Sequence, residues 1–150
     1  MKKKILCIGC IIFLLFGLYN IMWSAIVYHR YNDFIVGMDE IYPHRTYATV
    51  GTDGYTYNVK LPDYLSFVGN LGIQKSEHGN CALIIWPGVY SATDYGVIIQ
   101  AADGQKYAIG FTSERVPVSD TPEEVKQVAF EYSDQINELF DKANEMWTIE

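Results

Sequence analysis

An uninterrupted apolar stretch at the N-terminus constrains this chain more than any other feature. Ile5–Tyr28 contains 24 residues without a charge and lies between Lys4 and His29. As a helix rising about 1.5 Å per residue, it would extend over about 36 Å, against about 30 Å of bilayer hydrocarbon. Because only a helix satisfies its own backbone polar groups in lipid, the stretch is predicted to be a single helix that spans a bilayer.

The charges on either side of this stretch predict its orientation. Lys2, Lys3 and Lys4 precede it, and all 18 acidic residues of the chain follow it. Lysine and arginine stay on the cytoplasmic side, and aromatic rings such as Trp23 prefer the headgroup region. We therefore expect a single-pass protein of the cell membrane, with the N-terminus in the cytoplasm and the C-terminal domain outside.

A cleaved signal peptide, which would release a secreted protein, is the alternative. Such peptides have an apolar core of about 7–15 residues, followed by small residues two apart at the cleavage site. Here the core is longer, and the pairs near its end, Trp23 with Ala25 and Met22 with Ser24, each include a large side chain. The pattern favours an uncleaved anchor.

Three segments follow from this organisation: residues 1–30 as cytoplasmic tip and transmembrane anchor, 31–44 as a juxtamembrane stem, and 45–150 as an extracytoplasmic domain. In the stem, Tyr31, Phe34, Ile35 and Met38 recur three and four apart, which predicts that the helix continues past the membrane surface. Pro43 ends this helix, since the residue before a proline disfavours helical geometry.

The outer domain is predicted to be an α+β fold, with an antiparallel meander of five to six strands closed by one C-terminal amphipathic helix. Asp103-Gly104 lies between two runs that are rich in β-branched and aromatic residues, which predicts a tight hairpin with positive φ at both positions. A helical turn at Asp63–Val68 is the alternative to the start of the third strand. The predicted strands are Thr46–Val50, Tyr55–Leu61, Leu65–Ile73, Cys81–Trp86, Tyr95–Ala102 and Gln105–Phe111.

The C-terminal helix is predicted to begin with a capping hydroxyl at Thr121, a proline at its first position and Glu124 three residues after the cap. Apolar residues then recur at helical spacing from Val125 to Trp147, so one face is expected to pack on the sheet. Strand hairpins followed by a closing helix are similar in order to pleckstrin-homology-like domains.

Composition and charge exclude several classes of function. The net charge of -7 repels phosphate backbones, which excludes nucleic acid as a partner, and 49% hydrophobic residues exclude a disordered chain. The three histidines are far apart, and no phosphate-binding glycine loop occurs, so no metal site and no cofactor are predicted. Cys81 is the one cysteine beyond the apolar stretch, so the domain is expected to fold without an internal disulfide.

One arrangement suggests covalent chemistry. His78 precedes Cys81 by three residues, and Arg115 follows further along the outer domain. A cysteine thiolate beside a histidine, with an arginine at the oxyanion, performs acyl transfer. In its N-terminal anchor, outer β-domain, cysteine and arginine the chain resembles the sortase transpeptidases. It departs from them where Gly79-Asn80 precede the cysteine instead of a Thr-Leu-x-Thr strand end.

Aromatic residues suggest a second type of site. Tyr55, Tyr57, Trp86 and Tyr90 are candidates for an aromatic face that binds a glycan or a protein. The sequence therefore favours an extracytoplasmic binding or accessory module, tethered to the bilayer through Ile5–Tyr28, with a membrane-protein or envelope partner. A small cell-surface enzyme of the cysteine acyl-transfer type, using Cys81 and His78, is the alternative.

Overall fold

The structure, a computed structural model, describes residues 2–42, 45–77, 79–88 and 92–149. The N-terminal helix α1 is followed by a short 3-10 turn, seven strands and two helices. Their bounds are α1 Lys2–Tyr31, the 3-10 turn Asp33–Ile35, β1 Asp39–Tyr42, β2 Thr46–Val50, β3 Tyr55–Lys60, β4 Asn70–Lys75, β5 Cys81–Trp86, β6 Asp94–Gln100, β7 Lys106–Phe111, α2 Glu123–Glu131 and α3 Ser133–Trp147.

The seven strands form one open antiparallel sheet whose spatial order is the chain order, β1 to β7. This confirms the α+β class and the meander. The predicted count of five to six strands is wrong by one, because β1 lies in the segment that was expected to be a helical stem. Every strand pairs with its neighbours in the chain, and β1 and β7 are the two edge strands.

The core lies between one face of the sheet and the C-terminal helices. Side chains alternate along β3 and β5, and every second one is buried. Helix α3 lies over β4 and β5, while α2 lies against β7. This confirms that the C-terminal apolar stripe packs on the sheet. The buried residues on the helix-covered face include Tyr55, Tyr57, Val59, Leu71, Ile73, Cys81, Leu83, Ile85, Val97, Ile99, Ile109 and Phe111.

The predicted helical stem is wrong. Helix α1 ends at Tyr31, and Gly37, with a φ of 76°, redirects the chain into β1. One local and one tertiary contact hold this course: the Phe34 ring packs edge-on against Tyr31, and Trp147 Nε1–H donates to the Phe34 carbonyl at 3.2 Å. The three-and-four spacing of the stem therefore reflects contacts with the domain instead of a continuous helix.

The third predicted strand is also wrong in its first half. The chain turns at Tyr64 and Leu65, where Ser66 N–H donates to the Asp63 carbonyl at 2.9 Å, and β4 begins only at Asn70. Gly69 passes so close to the Lys60 carbonyl that a Cβ would not fit there. This close approach requires a glycine at position 69. The alternative, a single helical turn over Asp63–Val68, does not form either, because the chain turns only at Tyr64 and Leu65, where Leu65 has a φ of 71°.

The C-terminal helix differs in two details. It is broken at Tyr132 into α2 and α3, because Tyr132 leaves helical geometry with φ -103° and ψ 12°. Pro122, and not Thr121, occupies the position before the first helical residue, so no side-chain capping hydrogen bond forms there. The acidic residues Glu123 and Glu124 then stand in the first turn, where the helix dipole favours negative charge.

The Asp103-Gly104 hairpin is confirmed, with a different turn. Only Gly104 has a positive φ, of 85°, and its N–H donates to the Ala101 carbonyl at 2.9 Å. This is a type I turn followed by a left-handed glycine, the usual three-residue hairpin connection. Gly51–Gly54 connects β2 to β3 in the same way, with Gly54 N–H donating to the Gly51 carbonyl at 3.2 Å.

Among the described helices, α1 alone is long and apolar enough to cross a membrane, over Leu6–Tyr31. Its first part is exposed as far as Leu18, apart from the half-buried Gly17. From Tyr19 onward one face contacts the domain, and Trp23, Val27 and Tyr31 are buried there. The last turns of the apolar helix are therefore part of the domain's own packing.

Candidate functional site

Cys81, the first candidate nucleophile, opens β5 on the helix-covered face and is buried. Burial raises the pKa of its thiol to about 11. It lies at the edge of a cavity of about 240 Å³ whose lining is mixed: Tyr55, Lys75, Gly79, Asn80, Cys81, Gln135, Glu138 and Leu139. The thiolate is the reactive form of cysteine, and at neutral pH the buried Cys81 side chain is a protonated, unreactive thiol.

Arg115, the proposed oxyanion group, lies elsewhere. Cys81 pairs with Ile99 near one end of the sheet, whereas Phe111, just before Arg115, is the last residue of β7 at the opposite end. The Arg115 guanidinium binds the Asp141 carboxylate at 2.7 Å and stacks over the Phe140 ring at 5.6 Å. The structure thus does not bring Cys81 and Arg115 together, and His78 lies outside the described residues.

The predicted aromatic face is divided between two sides of the sheet. Tyr55 and Tyr57 are each 4% exposed and lie under α3, where Tyr57 packs edge-on against Trp147. Trp86 lies on the opposite face, half-buried. Tyr90 lies outside the described residues. Tyr55 and Tyr57 therefore belong to the core. The strand alternates as predicted, and the side on which these two rings lie is the side that α3 covers.

A small charged network fixes this end of the core. The Tyr57 hydroxyl donates to Asp53 Oδ2 at 2.7 Å, and Lys142 Nζ lies 3.5 Å from the same carboxylate and 2.7 Å from Glu145. Desolvation alone would raise the pKa of Asp53, but hydrogen bonds from Tyr57 and the Tyr55 N–H, with the charge of Lys142, outweigh it and hold that pKa below its usual value. This network links the β2–β3 turn to α3.

The outer face of the sheet, opposite α3, has an apolar centre. It contains Ala82, Ile84 and Trp86 of β5 and Ile98 of β6, all half-buried. A Cβ on Gly96 would lie 2.9 Å from the Trp86 ring, so the glycine leaves room for the indole to lie flat on the strand. Polar residues at the strand ends, such as Gln74, Asp94, Gln100 and Lys106, surround this centre.

Sequence analysis missed a second surface, which we call the junction loop, residues 62–69. Three contacts attach it to α1. Trp23 Nε1–H donates to the Ser66 carbonyl at 2.6 Å, the Tyr64 hydroxyl donates to Asn20 Oδ1 at 2.6 Å, and Gly69 N–H donates to the Tyr31 hydroxyl at 2.7 Å. The apolar residues that follow Pro62-Asp63 could have indicated this surface, but their spacing is also typical of a strand.

Within the described part of the chain, no three His, Cys, Asp or Glu side chains converge in a way that could hold a metal ion. Compared with known protein families, with curated proteins and with solved structures, the chain has no significant match in any of the three.

Proposed function

We propose that this protein is a single-pass membrane protein whose N-terminus faces the cytoplasm and whose α+β domain, outside the cell, serves as a binding or accessory module. Its partner would be another membrane protein or a component of the cell envelope. The observation that carries the proposal is α1 itself: it is apolar over Leu6–Leu18, where its large side chains are exposed, yet it packs against the domain from Tyr19 onward.

A helix with that distribution of contacts suits an anchor that also orients its domain. Exposed apolar side chains such as Phe13, 76% exposed, and Leu6, 69% exposed, are costly in water and favourable in lipid. A cleaved signal peptide needs no contact with the mature domain, whereas Trp23 and Tyr31 each contribute a hydrogen bond and a buried ring to it. These contacts support retention of the helix.

The outer face of the sheet is the surface that we assign to the partner. Apolar side chains at the centre and polar ones around them are the usual composition of a protein-binding surface. Trp86 lies in this centre, and tryptophan is enriched among residues that dominate binding energy. The buried Cys81, its raised thiol pKa and the distant Arg115 give no comparable support to acyl transfer.

Topology is tested by cysteine accessibility in intact cells. Asp103→Cys places a thiol in the exposed β6–β7 turn, and Met1 through Lys4 provide a site for an added N-terminal cysteine. A membrane-impermeant maleimide should label position 103 in intact cells and the N-terminal cysteine only after lysis. Labelling in the reverse order would contradict the orientation, and recovery of the protein in the soluble fraction would contradict the anchor.

The binding surface is tested by photo-crosslinking. A photoreactive amino acid at Ile84 or Ile98 should give one discrete adduct in membranes, and Trp86→Ala should reduce its yield. The same photoreactive residue at Phe130, which is 72% exposed on the helix side, is the matched control. Equal crosslinking from Phe130 would show that the outer face has no particular partner.

A further inference from the structure

We propose that the junction loop is a second membrane contact, and that its apolar side chains lie in the outer interfacial layer of the same bilayer that α1 spans. The inference rests on the proposed anchor role of α1. It goes further because it makes the domain itself, through residues 62–69, a lipid-binding surface.

The first argument is one of length. The part of α1 clear of the domain, Leu6–Leu18, extends over about 20 Å at 1.5 Å per residue. A bilayer core of about 30 Å requires about 20 residues, and counting from Ile5, beside the lysines, reaches Ser24. Residues 19–24 must therefore also lie in hydrocarbon. Any tilt of the helix would require still more residues in the hydrocarbon layer.

The second argument is the position of the loop along α1. Its contacts through Tyr64, Ser66 and Phe67 fall on the residues that the length argument places in the outer leaflet, while the Gly69 contact with Tyr31 lies further along the helix. Tyr64 bonds to Asn20, Ser66 bonds to Trp23, and the Phe67 ring lies 6.5 Å edge-on from Tyr19. The loop and helix are thus at one level, and a bilayer that surrounds Tyr19–Trp23 also meets the loop.

The third argument is the chemistry of the loop surface. Tyr64, Leu65 and Val68 are 52%, 57% and 46% exposed, and Phe67 between them is partly buried. In a domain that is strongly acidic, the loop carries one acid, Asp63, and Lys60 binds it at 3.0 Å. Tyrosine and apolar residues with few charges are typical of the membrane interface.

The backbone of the loop is also suited to a medium with little water. Hydrogen bonds inside the protein occupy the Ser66 N–H, the Ser66 carbonyl and the Gly69 N–H. Unpaired backbone groups would cost several kcal/mol each in hydrocarbon. These three groups are therefore paired inside the protein, and Tyr64, Leu65 and Val68 are the exposed apolar side chains of the loop.

Leu65 gives a separate indication. Its φ of 71° lies in the left-handed region, where a leucine costs on the order of 1 kcal/mol and glycine or asparagine is the common choice. An exposed leucine gains nothing there in water. In the interfacial layer its side chain is removed from water, which offsets the cost of the backbone conformation.

Spin-label accessibility in vesicles of dioleoylphosphatidylcholine tests the inference on the full chain. Cys7 and Cys10 are replaced by alanine, and buried Cys81 is retained after confirming that it does not label. Labels at Leu65→Cys and Val68→Cys are compared with Phe13→Cys on the exposed helix and Asp103→Cys in the distant turn. Collisions with oxygen report lipid, and collisions with a water-soluble nickel chelate report solvent.

The expected result is an oxygen-to-nickel accessibility ratio several-fold higher at Leu65 and Val68 than at Asp103, with Phe13 highest. Labels at Leu65 and Val68 that match Asp103, while Phe13 reads as lipid, would overturn the loop contact and leave the anchor intact. A solvent-exposed Phe13 would overturn the anchor and the loop contact together. Leu65→Asn, which retains the left-handed turn without the apolar side chain, should lower the ratio at Val68.

Discussion

At the scale of single residues, Asp53 shows how one polar group connects two elements. It accepts hydrogen bonds from the Tyr57 hydroxyl and the Tyr55 N–H, and its carboxylate lies near Lys142 of α3. Since its pKa is lowered in the folded protein, its contribution to stability is present above the unfolded pKa near 3.8. That contribution is lost as the pH falls through the folded value.

We expect Asp53→Asn to lower the free energy of unfolding by about 1 kcal/mol at neutral pH, because the amide keeps only one of the two acceptor oxygens and loses the charge. The difference from wild type should shrink below pH 3.8 and vanish once Asp53 is protonated. Thermal unfolding in detergent across this range is the measurement. Asp103→Asn is the control, since Asp103 Oδ1 accepts the Gln105 N–H at 2.8 Å in an equivalent turn. Equal losses in both variants would contradict the role of Lys142.

Cys81 gives a prediction about reactivity. With a thiol pKa of about 11, only about one molecule in a thousand is a thiolate at pH 8, against about a quarter for a free cysteine. In a variant lacking Cys7 and Cys10, we therefore expect iodoacetamide to modify Cys81 at least about 100-fold more slowly than an exposed cysteine at position 103. Denaturant should remove the difference. Rapid modification of the folded protein would instead support the acyl-transfer alternative.

At the scale of elements, α3 packs over β4 and β5, and Trp147 in its last turn contacts two other parts of the fold. Trp147 packs edge-on against Tyr57 and donates a hydrogen bond to the Phe34 carbonyl, so it connects the sheet, the helix and the chain that leaves α1. It is only 6% exposed, whereas Phe130, on α2, is 72% exposed. Two aromatic residues of the same helical region thus have opposite environments.

Trp147→Ala should lower the free energy of unfolding by about 3–5 kcal/mol, as for large aromatic residues removed from a core. Phe130→Ala should change it by less than about 0.5 kcal/mol, as surface substitutions do. Denaturant titration of the detergent-solubilised protein measures both. A small loss for Trp147→Ala would mean that α3 can shift to fill the space, which would contradict the fixed contact with Phe34.

The elements also show which parts of this structure the sequence could predict. Hairpins such as β6–β7 follow from local alternation and Asp103-Gly104, so their pairing was predictable. The path of the stem was not predictable. Tyr31 and Phe34 have helical spacing, but the path of the backbone there depends on hydrogen bonds with Gly69 and Trp147, which are distant in the chain. Of the predicted aromatic face, Trp86 is the one member within the described part of the chain that lies on an accessible side of the sheet. For Tyr55 and Tyr57, alternation predicts two faces of the strand without saying which one α3 covers.

At the scale of the whole molecule, the structure contains one rigid connection between the candidate anchor and the domain. The buried face of α1 includes Tyr19, Trp23, Val27 and Tyr31, so the helix cannot rotate against the sheet without losing these contacts. If α1 spans the bilayer, the height and orientation of the domain above the membrane are therefore set by the number of residues between Lys4 and Tyr19. The outer face of the sheet would then be presented to its partner at a fixed angle.

This connection predicts that the length of the free helix controls the depth of the junction loop. Deleting Ile11–Leu14 removes about 6 Å of helix, which should draw Leu65 deeper and raise the oxygen-to-nickel ratio of a label there. Duplicating Ile11–Leu14 should lower that ratio. Replacing Ile11, Ile12 and Phe13 by leucine, which keeps the length of the segment, is the control and should leave the ratio unchanged.

Bilayers and helices also accommodate such changes by thinning or tilting. Here tilt is opposed, because a domain packed along the last turns of α1 would be driven into the headgroups as the helix leans. The response to deletion and duplication should accordingly be opposite in sign, even if each is smaller than the full change in length. A ratio at Leu65 that stays constant in both variants would show that the loop finds its own depth, and that α1 tethers the domain without positioning it.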